Sequence, residues 1–211
     1  MSVLRKGRKK MRKKSFLILG LVGCLSVISP VTVLAESNLQ SKTDLVWTSP
    51  TIFKELIREI EDIKKEHPVY TEDDILRIMN ERHATTHDEE DAKGIIDIWN
   101  ALTESEKKLC IRYPFDALKV NTAKNIATNQ TEIKFGRNGL GDKSDAFRHG
   151  IWNAEMTILI GKEKAELFAT AHEDKDVTGT EPDGFPKTAH RDMDLHNNEI
   201  GRNLGEKNKD A

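Results

Sequence analysis

Apolar residues return at helical spacing through most of this chain, and no stretch alternates strictly, as a half-buried strand would require. Ile52, Leu56, Ile60 and Ile63 set the pattern. His67-Pro68 ends it, because the residue before a proline is steered away from the α region. Thr71 followed by Asp74 predicts an N-cap for a second helix through Ile75, Ile78 and Met79. Residues 88–102 carry Ile95, Ile98, Trp99 and Leu102, and Thr103-Glu104-Ser105-Glu106 reads as a capping box for a short helix ending at Tyr113-Pro114. The fold class expected is therefore all-α, a compact multi-helix domain preceded by a charged helical segment.

Further along, a helix is expected from Pro114 to about Asn129, and Phe135 to Lys143, with three glycines, is the clearest loop. Ser144 is expected to cap a helix ending at Gly161, and the next runs from Lys162 to about Asp176. After a Gly- and Pro-containing loop from Thr178 to Thr188, the last helix passes through Met193, Ile200 and Leu204. Asn197 shares that apolar stripe and is expected to be buried. The resulting division is a linker over 36–50, a charged helical lead-in over 51–110 and a functional helical domain over 111–211.

Residues 1–35 have the three parts of a secretory signal. Eight Lys/Arg fall between Arg5 and Lys14, an apolar stretch begins at Phe16, and Val33-Leu34-Ala35 precedes the polar Glu36-Ser37-Asn38. Met11 is an alternative start. Two other readings use the same residues: Leu21-Val22-Gly23-Cys24 matches a lipobox, which would place a lipidated Cys24 at the mature end. Phe16 to Ala35 is also long enough for an uncleaved anchor. The expected location is secreted or extracytoplasmic, with membrane contact only through this segment.

Cleavage after Ala35 changes the chemistry of what remains. Eight of the 33 Lys/Arg leave and none of the 35 Asp/Glu does, so 25 basic groups face 35 acidic ones, a formal charge of −10. An acidic surface argues against general binding to nucleic acid. Cys110 is then the sole cysteine, so stability must come from packing rather than a disulfide. Its apolar surroundings, Leu109 and Ile111, mark it as a core thiol and not a nucleophile.

Polar groups on three successive helices suggest a site. Asp145, His149 and Trp152 or Asn153 share one stripe at spacings of four and seven. His172-Glu173 lie on the next helix, and Asp194, Asn197, Asn198 and Arg202 on the last. Imidazoles and carboxylates of this kind bind Zn²⁺ or a similar divalent ion and can activate a water. The ligand set expected is His149, His172 and Asp194, with Asp145 as a fourth ligand or an outer partner. Glu173 is the leading general base, so His149, His172, Glu173 and Asp194 are the expected catalytic group. Arg148, Trp152, Asn153, Asn197, Asn198 and Arg202 are expected substrate contacts, the guanidinium groups suiting phosphate or carboxylate. His196 is a reserve ligand.

Asp145-Ala-Phe-Arg-His149-Gly-Ile-Trp-Asn153, Ala171-His-Glu173 and Met193-Asp-Leu-His-Asn-Asn198-Glu-Ile-Gly201-Arg202, in this order, resemble a bacterial exported domain family of unknown function. The resemblance covers roughly residues 105–205. It implies export and a helical domain sometimes attached to large wall-associated or toxin-like proteins, and it supplies no established reaction. The Arg148-His149 pair is also similar to microbial secreted phospholipases A2, but Gly150 stands where they have aspartate and their disulfide cysteines are missing. The expected function is a hydrolase, metal- or histidine-assisted, at or outside the cell envelope. The alternative is a non-enzymatic envelope binding or structural protein whose Asp/His/Asn groups form a buried hydrogen-bond network.

Overall fold

The computed structural model describes residues 49–84 and 90–210, so the expected signal segment and nearly all of the expected linker lie outside the described residues. Among the described residues eight helices follow in order: α1 Pro50–Glu66, α2 Glu72–Arg82, α3 Glu90–Ala101, α4 Glu104–Arg112, α5 Pro114–Phe135, α6 Lys143–Ile160, α7 Lys162–His172 and α8 Lys187–Asn208. Among the described residues the only β pairing is an isolated bridge between Thr180 and Pro186. The all-α class is thus observed. No helix among the described residues is long and apolar enough to cross a membrane.

The first half is assembled by local signals. Ser49 Oγ caps α1, with Pro50 in the first turn where a missing N–H costs nothing. Both Thr71/Asp74 and Thr103/Glu106 form complete capping boxes, at α2 and α4. Phe53, Leu56, Ile57, Ile60 and Ile63 of α1 are buried, and one apolar core joins them to Met79, Trp99, Ile111, Val120, Met156 and Phe168. That core therefore draws on both the lead-in and the C-terminal segment. Truncating a side chain such as Phe53 to alanine would cost about 3–5 kcal/mol.

Several helix ends differ from the sequence expectation. α5 continues to Phe135 and stops at Gly136, whose left-handed φ of 69° suits a residue without Cβ. Asp142, not Ser144, caps α6, accepting from the N–H groups of both Ser144 and Asp145. α7 ends at His172, earlier than Asp176, which places His172 and Glu173 at the helix terminus.

α6 packs against α5, α7 and α8, and its pairing with α8 is parallel. His149 meets Asn198 and Asn153 meets Arg202, the same offset of forty-nine residues in each case. α7 runs back alongside both, with Lys162 bonded to Asn203 and Glu173 to Asn198. The α6–α8 approach is close because Gly201 and Gly205 line the crossing. A Cβ on Gly201 would lie 2.3 Å from the Gly150 carbonyl oxygen, and one on Gly205 would lie 2.5 Å from that of Ala154.

The buried face of α8 differs from the expectation. Asp194, Asn198, Gly201, Arg202 and Gly205 face inward, while Ile200 and Leu204 are 44% and 51% exposed. Asn197 is half-buried, its amide turned back onto the Met193 carbonyl at 2.8 Å. The apolar stripe was therefore the wrong guide to this helix: the inward surface is selected by small and polar residues that fit α6.

Candidate metal centre and adjoining cleft

Burial of polar groups is costly unless each finds a partner, and the α6–α8 interface satisfies most of its polar atoms through one chain. Arg202 Nη1 donates to Asn153 Oδ1 at 3.1 Å, Asn153 Nδ2 donates to Asn198 Oδ1 at 2.6 Å, and Asn198 Nδ2 donates to Glu173 Oε1 at 3.3 Å. Arginine can only donate and a carboxylate can only accept. The two ends therefore dictate the orientation of both amides. Asn198 Oδ1, an acceptor, also lies 3.1 Å from His149 Nδ1, so the imidazole hydrogen is on Nδ1.

An imidazole so held can ligate a metal only through Nε2, and two carboxylates face that atom. Asp194 Oδ1 is 3.5 Å away and Asp145 Oδ1 3.6 Å. Asp145, His149 and Asp194, all buried, each offer a ligand atom, and the three atoms lie within 4.8 Å of one another. Two oxygens and one imidazole nitrogen suit a divalent ion such as Zn²⁺ or Mn²⁺. Asp145 is further held by the Gly141 N–H on Oδ2 at 2.7 Å and by Arg148 on Oδ1. Asp194 Oδ1 is buried with no hydrogen-bond partner. Burial pushes the Asp194 carboxyl up to about 7, with Asp145 and Glu173 adding to the rise against the opposing pull of His149 and Arg148. A cation between these groups would answer both features.

His172 is not in that trio. Its Nδ1 lies 2.8 Å from Glu106 Oε1, and its Nε2 3.3 Å from Nζ of the exposed Lys175. The ring sits edge-on to Trp152 with centroids 5.1 Å apart, and 6.2 Å from the His149 ring. Burial and the Lys175 charge hold His172 below the usual histidine range, against Glu106, which favours its charged form. Glu106 is also buried, but the facing His172, the Thr103 N–H and Lys124 outweigh that burial and keep its carboxyl below the ordinary value. At neutral pH this describes a carboxylate that orients a neutral imidazole through Nδ1–H.

The remaining expected residues divide by place. Glu173 lies on the Nδ1 side of His149, 3.6 Å from it, away from the Nε2 face that meets the aspartates. Arg148 and Trp152 line a small cleft together with Lys124, His149 and His172. Asn153, Asn198 and Arg202 belong to the hydrogen-bond chain, and Asn197 and the exposed His196 stand outside the site. The cleft reaches solvent, since Arg148 and His172 each keep 8% of their surface exposed and His149 keeps 7%. A wider surface depression bordered by Asp73, Arg77 and Glu81 carries none of this chemistry.

Three participants were missed in the sequence. Glu106 was legible only as the last residue of a capping box: Oε2 does accept from the Thr103 N–H at 2.8 Å, while Oε1 serves His172. Lys124 gave no local signal, because nothing in its neighbourhood marks a lysine that will be 6% exposed. Asp183 bonds His190 Nε2 at 3.0 Å, and Gly141, φ 68°, leaves room for that ring. A Cβ there would sit 2.1 Å from His190 Cε1. Cys110 is fully buried with its thiol pushed far up by desolvation, as a core thiol should be.

Fold and site together define an all-α domain with a buried Asp/His/Asp cluster able to hold a metal ion. Residues 107–211 match the model of a family described as a domain of unknown function, DUF6973. No curated protein and no solved structure gives a significant match to the chain.

Proposed function

We propose that this is an exported bacterial hydrolase, working at or outside the cell envelope after loss of its N-terminal signal. Its centre is a divalent cation held by Asp145, His149 and Asp194. The observation that carries the reading is Asp194 Oδ1, a buried carboxylate oxygen without a hydrogen bond, beside the Nε2 face of an imidazole whose tautomer is set from behind. Asn198 fills the role of the outer partner that orients a ligand histidine. Glu173, in turn, holds Asn198.

A cation at this position supplies Lewis-acid polarisation of the scissile group. His172 is the base best placed in the cleft: Glu106 takes its Nδ1–H, so Nε2 can accept a proton from water once the exposed Lys175 moves aside. Trp152 confines the ring. Glu173 is left as a positioning residue. The non-enzymatic reading accounts for Asn153, Asn198 and Arg202 as a fold-specifying network. It leaves the Asp194 oxygen and the solvent-reaching cleft without a purpose.

Elemental analysis of the purified mature protein tests this directly. Wild type should retain a divalent metal near one equivalent, and His149→Ala and Asp194→Asn should lose it. Absence of metal from wild type after incubation with Zn²⁺ or Mn²⁺ would remove the cation centre.

A further inference from the structure

Gly141 stands where two loops meet. Its N–H donates to Asp145 Oδ2 at 2.7 Å, which leaves the other oxygen of that carboxylate toward His149 Nε2. Its φ is 68°, and the space a Cβ would fill is taken by the His190 ring. A Cβ there would also lie 2.8 Å from both His190 Nδ1 and Asp183 Oδ2. The glycine loop that holds Asp145 is thus pressed on its far side by a side chain of α8 and by the segment leading into α8.

That segment is built to hold the ring. The Glu181 N–H bonds the Phe185 carbonyl at 2.9 Å and the Lys187 N–H bonds the Gly179 carbonyl at 3.1 Å, around the Thr180–Pro186 bridge. Asp183 Oδ1 accepts from the Phe185 N–H at 3.1 Å, and both oxygens of this carboxylate lie within 3.1 Å of His190 Nε2. An acceptor there places the hydrogen of the neutral ring on Nε2 and a lone pair on Nδ1. Nδ1 is buried without a hydrogen-bond partner. A buried acceptor that lacks a donor costs stability, so hydrogen bonding at Nδ1 is not what the ring is kept for. What the ring does is close the open side of Gly141.

We infer that His190 is a positioning residue for the metal ligand Asp145, acting through the Gly141 backbone, with Asp183 fixing the ring. This rests on the cation centre proposed above. Glycine reaches more of backbone space than any other residue, so an unbraced Gly141 could swing its N–H away from Asp145. The buried ring blocks that movement. His190 lies one turn before Asp194 on α8, so one helix carries a ligand and also the side chain that seats a second ligand.

Calorimetric titration of Mn²⁺ into the mature protein tests this. His190→Ala should weaken Mn²⁺ binding by about 10–100-fold, the effect of losing an outer partner of a ligand. Gly141→Ala should weaken it comparably in wild type, but by less than about twofold on top of His190→Ala, because the ring that the new methyl meets is gone. Asp183→Ala should cost about tenfold, and Asp183→Asn should restore binding, since an amide oxygen still accepts the Nε2 hydrogen. If His190→Ala does not fold, the two Asp183 variants, on an exposed segment, decide the matter. Wild-type affinity in His190→Ala or Asp183→Ala, losses that multiply in the Gly141→Ala/His190→Ala pair, or an Asp183→Asn as weak as Asp183→Ala overturns the inference and leaves the cation centre standing. A wild-type protein that takes up no Mn²⁺ overturns the centre, and the inference with it.

Discussion

His149 donates its Nδ1 hydrogen to Asn198 Oδ1 across 3.1 Å, and that bond decides which face of the imidazole is basic. The orientation is imposed from the ends of the chain, by Arg202 on Asn153 and Glu173 on Asn198. A side chain on α8 thus controls the protonation pattern of one on α6.

Asn198→Ala should therefore damage stability and metal binding together. It strands the His149 Nδ1–H and the Asn153 amide in a buried interface, a loss of about 2–4 kcal/mol. Cation affinity should fall by about 10–100-fold, as for other outer partners of ligand histidines. Urea denaturation and a Mn²⁺ titration on the same preparation check both. A wild-type unfolding midpoint would show that the chain does not hold the interface.

Asp194→Asn should separate function from stability. The carboxylate is buried, its pKa pushed up to about 7 by desolvation, and its Oδ1 has no hydrogen bond. Neutralising it should stabilise the metal-free protein by about 1 kcal/mol or more, while the gain in melting temperature from added Mn²⁺ disappears. Melting curves in chelator and in Mn²⁺ give both readings, and a variant less stable than wild type in chelator would contradict the argument.

Two glycines of the α6–α8 crossing should respond in opposite directions. Gly201→Ala drives a methyl to within 2.3 Å of the Gly150 carbonyl oxygen. Backbone cannot yield there as a flexible side chain would, so about 1–3 kcal/mol should be lost. A Cβ on Gly150 meets nothing within 4 Å. Gly150→Ala should gain about 0.5–1 kcal/mol from helix propensity. Equal effects in chemical denaturation would mean that the two helices are not in close contact.

Acid should weaken the fold through His172 and Glu106. The folded pKa of His172 lies below its ordinary 6.5, so the unfolded chain binds the proton more readily and stability drains as pH falls through that value. Glu106 is held below its ordinary 4.5 and stabilises the fold above it. That part is lost as pH drops further, through the folded value. Asp194, raised to about 7, works the other way across this interval, because its folded carboxyl binds the proton more readily. The loss is therefore read in the Asp194→Asn background: unfolding midpoints there should decline from pH 7.5 to pH 5, and adding His172→Gln should flatten the slope. An unchanged slope in the variant would assign the acid sensitivity elsewhere.

Local chemistry alone determined the all-α class, most helix starts and the pool of polar residues from which the trio is drawn. Capping boxes, proline stops and i, i+4 spacing are short-range effects, written within a turn or two of chain. Thr103-Glu106 and Asp145-His149 were legible for that reason. The tertiary structure decided which polar groups share a site. Asp145 joins the trio and His172 does not, because α6 and α8 lie parallel at a distance set by Gly201 and Gly205, while Glu106, distant in sequence, takes the His172 ring. It also reversed the face of α8, burying Asp194 and Asn198 and leaving Ile200 outside. Hydrophobic periodicity reports a helix's preference in water; the partner's shape and hydrogen-bonding groups settle which side it presents.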